Sequence, residues 1–378
     1  MRHYVFSGVV PFRIILLIIV GRSFKRILME KKRECFLDIA KVASMLGVII
    51  VHTGTISWYE APFGIYPWGV INVFDMLGRF SVPVFLMISG YLFLNPQRQV
   101  SPSDIFKKYI PRLLCAFFFW SFLYALITSG FMTSRSLSGG VGEKLLQDTL
   151  SGRYHMWYIF TIAGLYIITP ALRPVATDRK AMRYFLLVSF LLTYLIPTLQ
   201  LIPAVADSTT WLTGKFDLSN ISGYVLYYLA GYYFGTMELS PKQRKIIYTL
   251  GIASALIMFA VVSTIIIINQ YPTLAYHKYT NAGMPLFGLA AFVFFKYRFK
   301  DVDPGSKIMR VIIKLSKMNL GIYLVHDFGL IVFRKIGLSP VLGTPLLMLP
   351  LLAFADYVIS ACIVLVISHI PVLKKWVI

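Results

Sequence analysis

Apolar positions along the chain gather into ten stretches, near residues 37–57, 69–94, 111–131, 154–172, 184–203, 221–237, 246–268, 282–297, 318–335 and 343–370. A helix needs about 20 residues to cross a bilayer, and the shorter stretches gain length from flanking aromatic residues. The sixth and eighth are the weakest candidates. Pro83, Pro170 and Pro197 fall within or near predicted helix ends, which packed membrane helices tolerate. The pattern predicts an all-α polytopic membrane protein of about ten transmembrane helices.

Composition strengthens that reading. The chain is 57% hydrophobic and 14% charged, with a mean hydropathy of +0.71. Soluble domains run at about 45–50% apolar and about 25% charged. No polar segment between the stretches is long enough to bury a core of its own. One transmembrane domain is therefore expected over 37–372, after a cytoplasmic N-terminal segment (1–36) and before a short cytoplasmic tail (373–378).

The net charge of +21 resembles a nucleic-acid signal until its distribution is read. With the first helix running outward, the segments on the cytoplasmic side hold 28 Lys and Arg and those on the opposite side hold 7. Lys41 and Arg79 lie inside helices. This bias, alternating loop by loop, places both termini in the cytoplasm and makes the charge mainly a topology signal. No nucleic-acid partner is expected.

Residues 1–28 fit this scheme poorly, because Val9 to Val20 is apolar but too short to span. No small-residue cleavage site follows, so a signal peptide is disfavoured. The segment is either interfacial or lies ahead of a true start at Met29, and the second reading is preferred. Cys35, Cys115 and Cys362 form neither a metal pattern nor a disulfide framework and read as buried small apolar residues. No metal is expected.

Ionisable groups at membrane depth are costly, so each is a functional candidate. On the first helix, Lys41 and His52 are eleven residues apart, close to three helical turns. They share a face and stand about 16 Å apart along the axis. Asp38, three residues before Lys41, is within pairing reach of it. On the second helix, Asp75 and Arg79 are spaced to pair, with Arg79 near the depth of His52, and Ser89 interrupts an apolar run. The ninth helix adds His326 and Asp327, and the tenth adds Asp356. Plainer readings stand beside these. Lys41 can snorkel to the interface, Asp75–Arg79 can be a structural ion pair, and His326 can be a packing histidine. Trp58, Tyr59, Trp68, Trp157, Tyr158 and Trp211 mostly suit an interfacial belt.

Four segments in order resemble the integral-membrane acyltransferase-3 family, from about Phe36 to the last helix. The first is Asp38, Lys41 and His52, where family members carry an Asp, then Arg or Lys, then His at this spacing. The second is Ser81 to Tyr91, the third is His155 to Tyr158 leading to Leu165-Tyr166 and Thr169-Pro170, and the fourth is Leu320 to His326. Lys41 stands where many members have Arg and lacks the bidentate fork. The family's basic pair after the second helix appears only loosely, as Lys107, Lys108 and Arg112. No fused esterase-type domain is expected after the last helix, an arrangement that resembles the stand-alone form of the family.

The resemblance implies acyl transfer, with acetyl from cytoplasmic acetyl-CoA as the expected group and acetyl-CoA as cosubstrate. The acceptor would be a hydroxyl of a surface polysaccharide or its lipid-linked precursor, at the inner membrane of a bacterium. A sugar hydroxyl needs a base at hydrogen-bond distance, and His52 is the candidate, acting as base or as transient acyl carrier. Arg79 or His326 would stabilise the oxyanion. Lys41, Lys108 and Arg112 would hold the CoA phosphates, with Asp38 orienting Lys41. Ser89, Trp157 and Tyr158 would contact substrate. The rival reading is a secondary transporter or glycan flippase, which also uses intramembrane His, Asp and Arg. It would more often show two similar halves, and none is seen here.

Overall fold

The computed structural model describes residues 33–62, 65–98, 100–215, 223–271 and 277–378. The segment 1–28 and the alternative start at Met29 lie outside the described residues. Helices run α1 (Cys35–Thr55), α2 (Tyr66–Phe93), α3 (Pro102–Thr128), α4 (Val141–Ser151), α5 (Trp157–Thr177), α6 (Arg179–Leu199), α7 (Pro203–Lys215), α8 (Val225–Thr236), α9 (Pro241–Asn269), α10 (Gly283–Arg298), α11 (Lys307–Lys335), α12 (Pro345–Ile367) and α13 (Pro371–Trp376).

Each apolar stretch of the sequence falls on one of ten of these helices. Among the described residues, seven helices are long and apolar enough to cross a membrane by themselves: α1, α2, α3, α5 with the residues leading into it, α6, α9 and α12. The count of ten spans is therefore reduced to seven on this criterion. The sixth and eighth stretches become α8 and α10, of 12 and 16 residues. At 1.5 Å per residue these reach only about 18 and 24 Å, against a hydrocarbon core of about 30 Å. The ninth stretch lies in α11, which has 29 residues but carries Asn319, His326 and Asp327 in its apolar part. The helices α4, α7 and α13 are additions that the apolar pattern did not predict.

Helix starts follow local chemistry. Ser101 and Ser240 each accept from a main-chain N–H three residues on, while that residue's side chain returns the bond, and a proline opens each helix. Ser306 caps α11, and Asp178 caps α6 by accepting from Lys180 and Ala181. These bonds from two backbone N–H groups hold the exposed Asp178 carboxyl below its usual range.

Two helices form the centre. The α1 and α2 spans are 61% and 72% buried, against 22–39% for the other five, so α1 and α2 are the ones the rest surround. Their contact depends on glycine. A β-carbon on Gly78 would stand 2.6 Å from the Gly47 carbonyl oxygen, so the two backbones meet directly. On the other face of α2, a β-carbon on Gly90 would stand 1.8 Å from the Tyr228 carbonyl oxygen, which seats the short α8 against it. Pro83 has no N–H to give the Arg79 carbonyl, and α2 is interrupted at Arg79–Phe80 between regular runs. Ser81 Oγ donates to Gly78 O at 2.7 Å across the break.

Two expectations of burial are revised. Cys35 is buried, but Cys115 and Cys362 lie on the outward surfaces of α3 and α12. Trp58 and Trp68 are fully buried rather than interfacial, their rings 5.1 Å apart, with His277 against Trp58 at 5.5 Å. The loop that follows α1 folds inward over this apolar cluster.

Candidate active site

A cavity of about 530 Å³ runs beside α1, lined by Lys41, Val48 and His52 along the face their spacing predicts. One end of the lining is basic, with Lys41, Arg98, Arg112 and Lys317. The middle is apolar and aromatic: Phe85, Ile88, Leu113, Leu320, Tyr158 and Tyr166, with Phe93 and Tyr166 stacked at 4.1 Å. The far end holds His52, Arg79, His155, Trp157 and Tyr279. Among the described residues, no Asp or Glu lines this cavity.

Three histidines meet at the far end. The ring of His52 lies 5.2 Å from His326 and 6.2 Å from His155, and His155 lies 4.8 Å from His326. Nδ1 of His52 is buried without a partner, which leaves Nε2 as its cavity-facing nitrogen. Nδ1 of His326 pairs with the Tyr323 carbonyl oxygen at 2.7 Å, and the Tyr323 hydroxyl donates to the His155 carbonyl oxygen. A donor–acceptor pairing to a carbonyl puts the proton of His326 on Nδ1.

Arg79 is held from two sides. Its Nε and one terminal nitrogen donate to Asp75 at 2.9 and 2.8 Å, and the other donates to the His277 carbonyl oxygen at 3.4 Å. His277 Nδ1 in turn lies 3.3 Å from Asp75. Three of the five guanidinium N–H groups are thus taken, and the guanidinium also lies beside Tyr279, which shares the cavity wall with it. The structural ion pair and the functional candidate are the same residue in two capacities.

At the basic end the structure redraws the sequence expectation. Asp38 does not pair with Lys41. Both its oxygens are engaged by Arg33, at 2.7 and 2.9 Å, and Ser316 Oγ donates to it at 2.6 Å. Asp38 thus ties α1 to α11. The Lys41 carbonyl accepts from Asn319 Nδ2 at 2.8 Å, a second tie between α1 and α11. Lys108 is exposed and does not line the cavity; its ammonium sits over Tyr109 at 5.6 Å. Arg98 and Lys317, neither of them candidates from sequence, stand in its stead. Arg112 lines the cavity and donates to the Ile378 main-chain oxygen at 2.5 Å. Ser89, Trp157 and Tyr158 all line the cavity, whereas His326 stands behind His52 and does not.

The residues that sequence reasoning missed have an identifiable reason. His155 belongs to a segment singled out by its motif, but it sits in the turn before α5, where helical periodicity gives no facing. Arg153 pairs with Asp327 at 2.6 Å across 174 residues, and Tyr154 donates to the same carboxylate at 3.0 Å. Nothing local in the chain announces such a pairing.

The sequence pattern of the acyltransferase-3 family, described as an acyltransferase domain, matches residues 36–370. No curated protein and no solved structure matches the chain. The matched region includes all of the cavity and both of its ends, and the chain belongs to the acyltransferase-3 family of membrane acyltransferases.

Proposed function

We propose that the protein is a multi-pass enzyme of the bacterial inner membrane that transfers acetyl from cytoplasmic acetyl-CoA to a hydroxyl of a cell-surface polysaccharide or its lipid-linked precursor. A glycan of the enterobacterial-common-antigen type is the acceptor we favour. The observation that carries this reading is one cavity with four cations at one end and His52 at the other. Coenzyme A is a polyphosphate at one terminus and a thioester at the other, joined by a narrow arm. Its phosphates suit Lys41, Arg98, Arg112 and Lys317, beside which no Asp or Glu lines the cavity among the described residues. The arm suits the apolar and aromatic middle, and the thioester then comes level with His52.

In the reaction, Nε2 of His52 takes the proton of the acceptor hydroxyl as its oxygen bonds to the thioester carbonyl carbon. The Arg79 guanidinium, which lines the same cavity, holds the resulting oxyanion. The C–S bond then breaks, and the proton on His52 passes to the departing sulfur, giving the ester and free CoA thiol. His155 and His326 pack around His52 and fix its ring without displacing it from the cavity. The reading is tested by supplying purified protein in lipid discs with labelled acetyl-CoA and an extract of surface glycan. Label appearing in glycan ester, with release of CoA, is expected. A protein that moves glycan across the bilayer and leaves the thioester intact is a carrier instead.

A further inference from the structure

A second cavity, of about 280 Å³, adjoins the histidine cluster from the side of α4. Its walls include Thr128, Lys144, Asp148, Arg153 and the rings of Tyr124 and Tyr154. Tyr154 is the residue the two cavities share. Its ring lies 5.1 Å from His52 and 5.4 Å from His155, and it is 50% exposed although it sits among packed groups. Tyr124 also touches His155, at 5.7 Å. The partition between this cavity and His52 is therefore one aromatic ring thick.

The chemistry of the walls differs from that of the first cavity. Lys144 and Arg153 are matched by Asp148 and by Asp327, which Arg153 grips at 2.6 Å, so the site is charge-balanced and favours a neutral ligand. Thr128 Oγ1 donates to Asp148 at 2.9 Å, and the lining combines donors, acceptors and two ring faces. Such a set suits a sugar, whose hydroxyls both give and accept hydrogen bonds and whose C–H face packs on an aromatic ring. The volume lies just below the range of about 300–1,000 Å³ for ligand pockets, which favours a single sugar ring.

We propose that this cavity is the acceptor subsite and seats one neutral pyranose unit of the glycan, with Tyr154 as the movable partition in front of His52. The proposal rests on the acyl-transfer reading. Donor and acceptor then enter by separate routes and meet at His52 once the Tyr154 ring swings aside from its bond to Asp327.

The test uses the full chain and two readouts: acetyl content of the cell's surface glycans by mass spectrometry, and equilibrium binding of acetyl-CoA to purified protein. Lys144→Ala with Asp148→Ala, and separately Thr128→Trp to fill the cavity, are expected to lower glycan acetylation at least tenfold while acetyl-CoA binding stays within twofold. Unchanged acetylation in Thr128→Trp, with acetyl-CoA binding intact, overturns the proposal. To guard against misfolding, Thr128→Cys, close to threonine in size and active before labelling, is labelled after folding with a membrane-impermeant maleimide in a chain whose Cys35, Cys115 and Cys362 are replaced by Ser. Acetylation that stops on labelling supports the subsite, and acetylation that continues overturns it. Wild-type protein that binds no acetyl-CoA instead defeats the acyl-transfer reading itself.

Discussion

His52 and His326 stand with ring centroids 5.2 Å apart, yet only His52 reaches the cavity. His326 has its Nδ1 committed to the Tyr323 carbonyl and stands behind the His52 ring. Replacing His52 with Ala is expected to lower transfer by about 10²–10⁴-fold, the range for loss of a general base. Replacing His326 with Ala is expected to cost about tenfold, the worth of one buried hydrogen bond. Initial rates of acetyl-CoA consumption at equal membrane abundance compare the two. Equal losses would move His326 into direct contact with the reacting atoms.

Arg79→Lys separates charge from geometry. Lysine keeps the cation but cannot hold Asp75 by two bonds and the His277 carbonyl by a third. A fall of about 10²–10³-fold in turnover with near-normal abundance is expected, as for loss of one oxyanion donor. A fall in abundance alone would make the residue purely structural.

Arg98→Ala and Lys317→Ala are expected to raise KM for acetyl-CoA by about 10–100-fold with little change in kcat. This is the cost of one charge-assisted contact to a phosphate, about 1.5–3 kcal/mol. Lys108→Ala, outside the cavity, is expected to leave both constants unchanged. Steady-state kinetics in lipid discs distinguish these, and a Lys108 effect equal to that of Arg98 would restore the sequence-based assignment.

Gly90→Ala forces a β-carbon against the Tyr228 backbone, where no side chain is free to yield. A loss of about 1–3 kcal/mol or more of stability is expected, seen as low membrane abundance and a lowered melting temperature in detergent. Gly164→Ala on α5 meets nothing within 4 Å and serves as the neutral control.

Much of the site was legible because its residues lie on regular helices. The spacing of Lys41 and His52 put both on one face of α1, and both line the cavity. Asp75 and Arg79, four apart, pair as expected. Asp38 misled because helical spacing shows which groups can meet but not which do. Arg33, ahead of the helix, and Ser316, on another helix, took its oxygens instead. Lys108 misled in the same way, since its neighbours in sequence are basic but its side chain points out of the cavity.

The apolar stretches and the distribution of charge along the chain determined an all-helical membrane protein with a polar stripe down its first helix. Periodicity and hydropathy are local properties and need no partner to be read. Only the tertiary structure decided that α8 and α10 are too short to span alone, and that Arg98, Lys317 and His155 join the cavity. It also decided that Arg153 and Tyr154 meet Asp327 behind His52. The pairings join groups on elements far apart in the chain, which no spacing along it connects, in a bundle whose central backbones close on one another at Gly78 and Gly90.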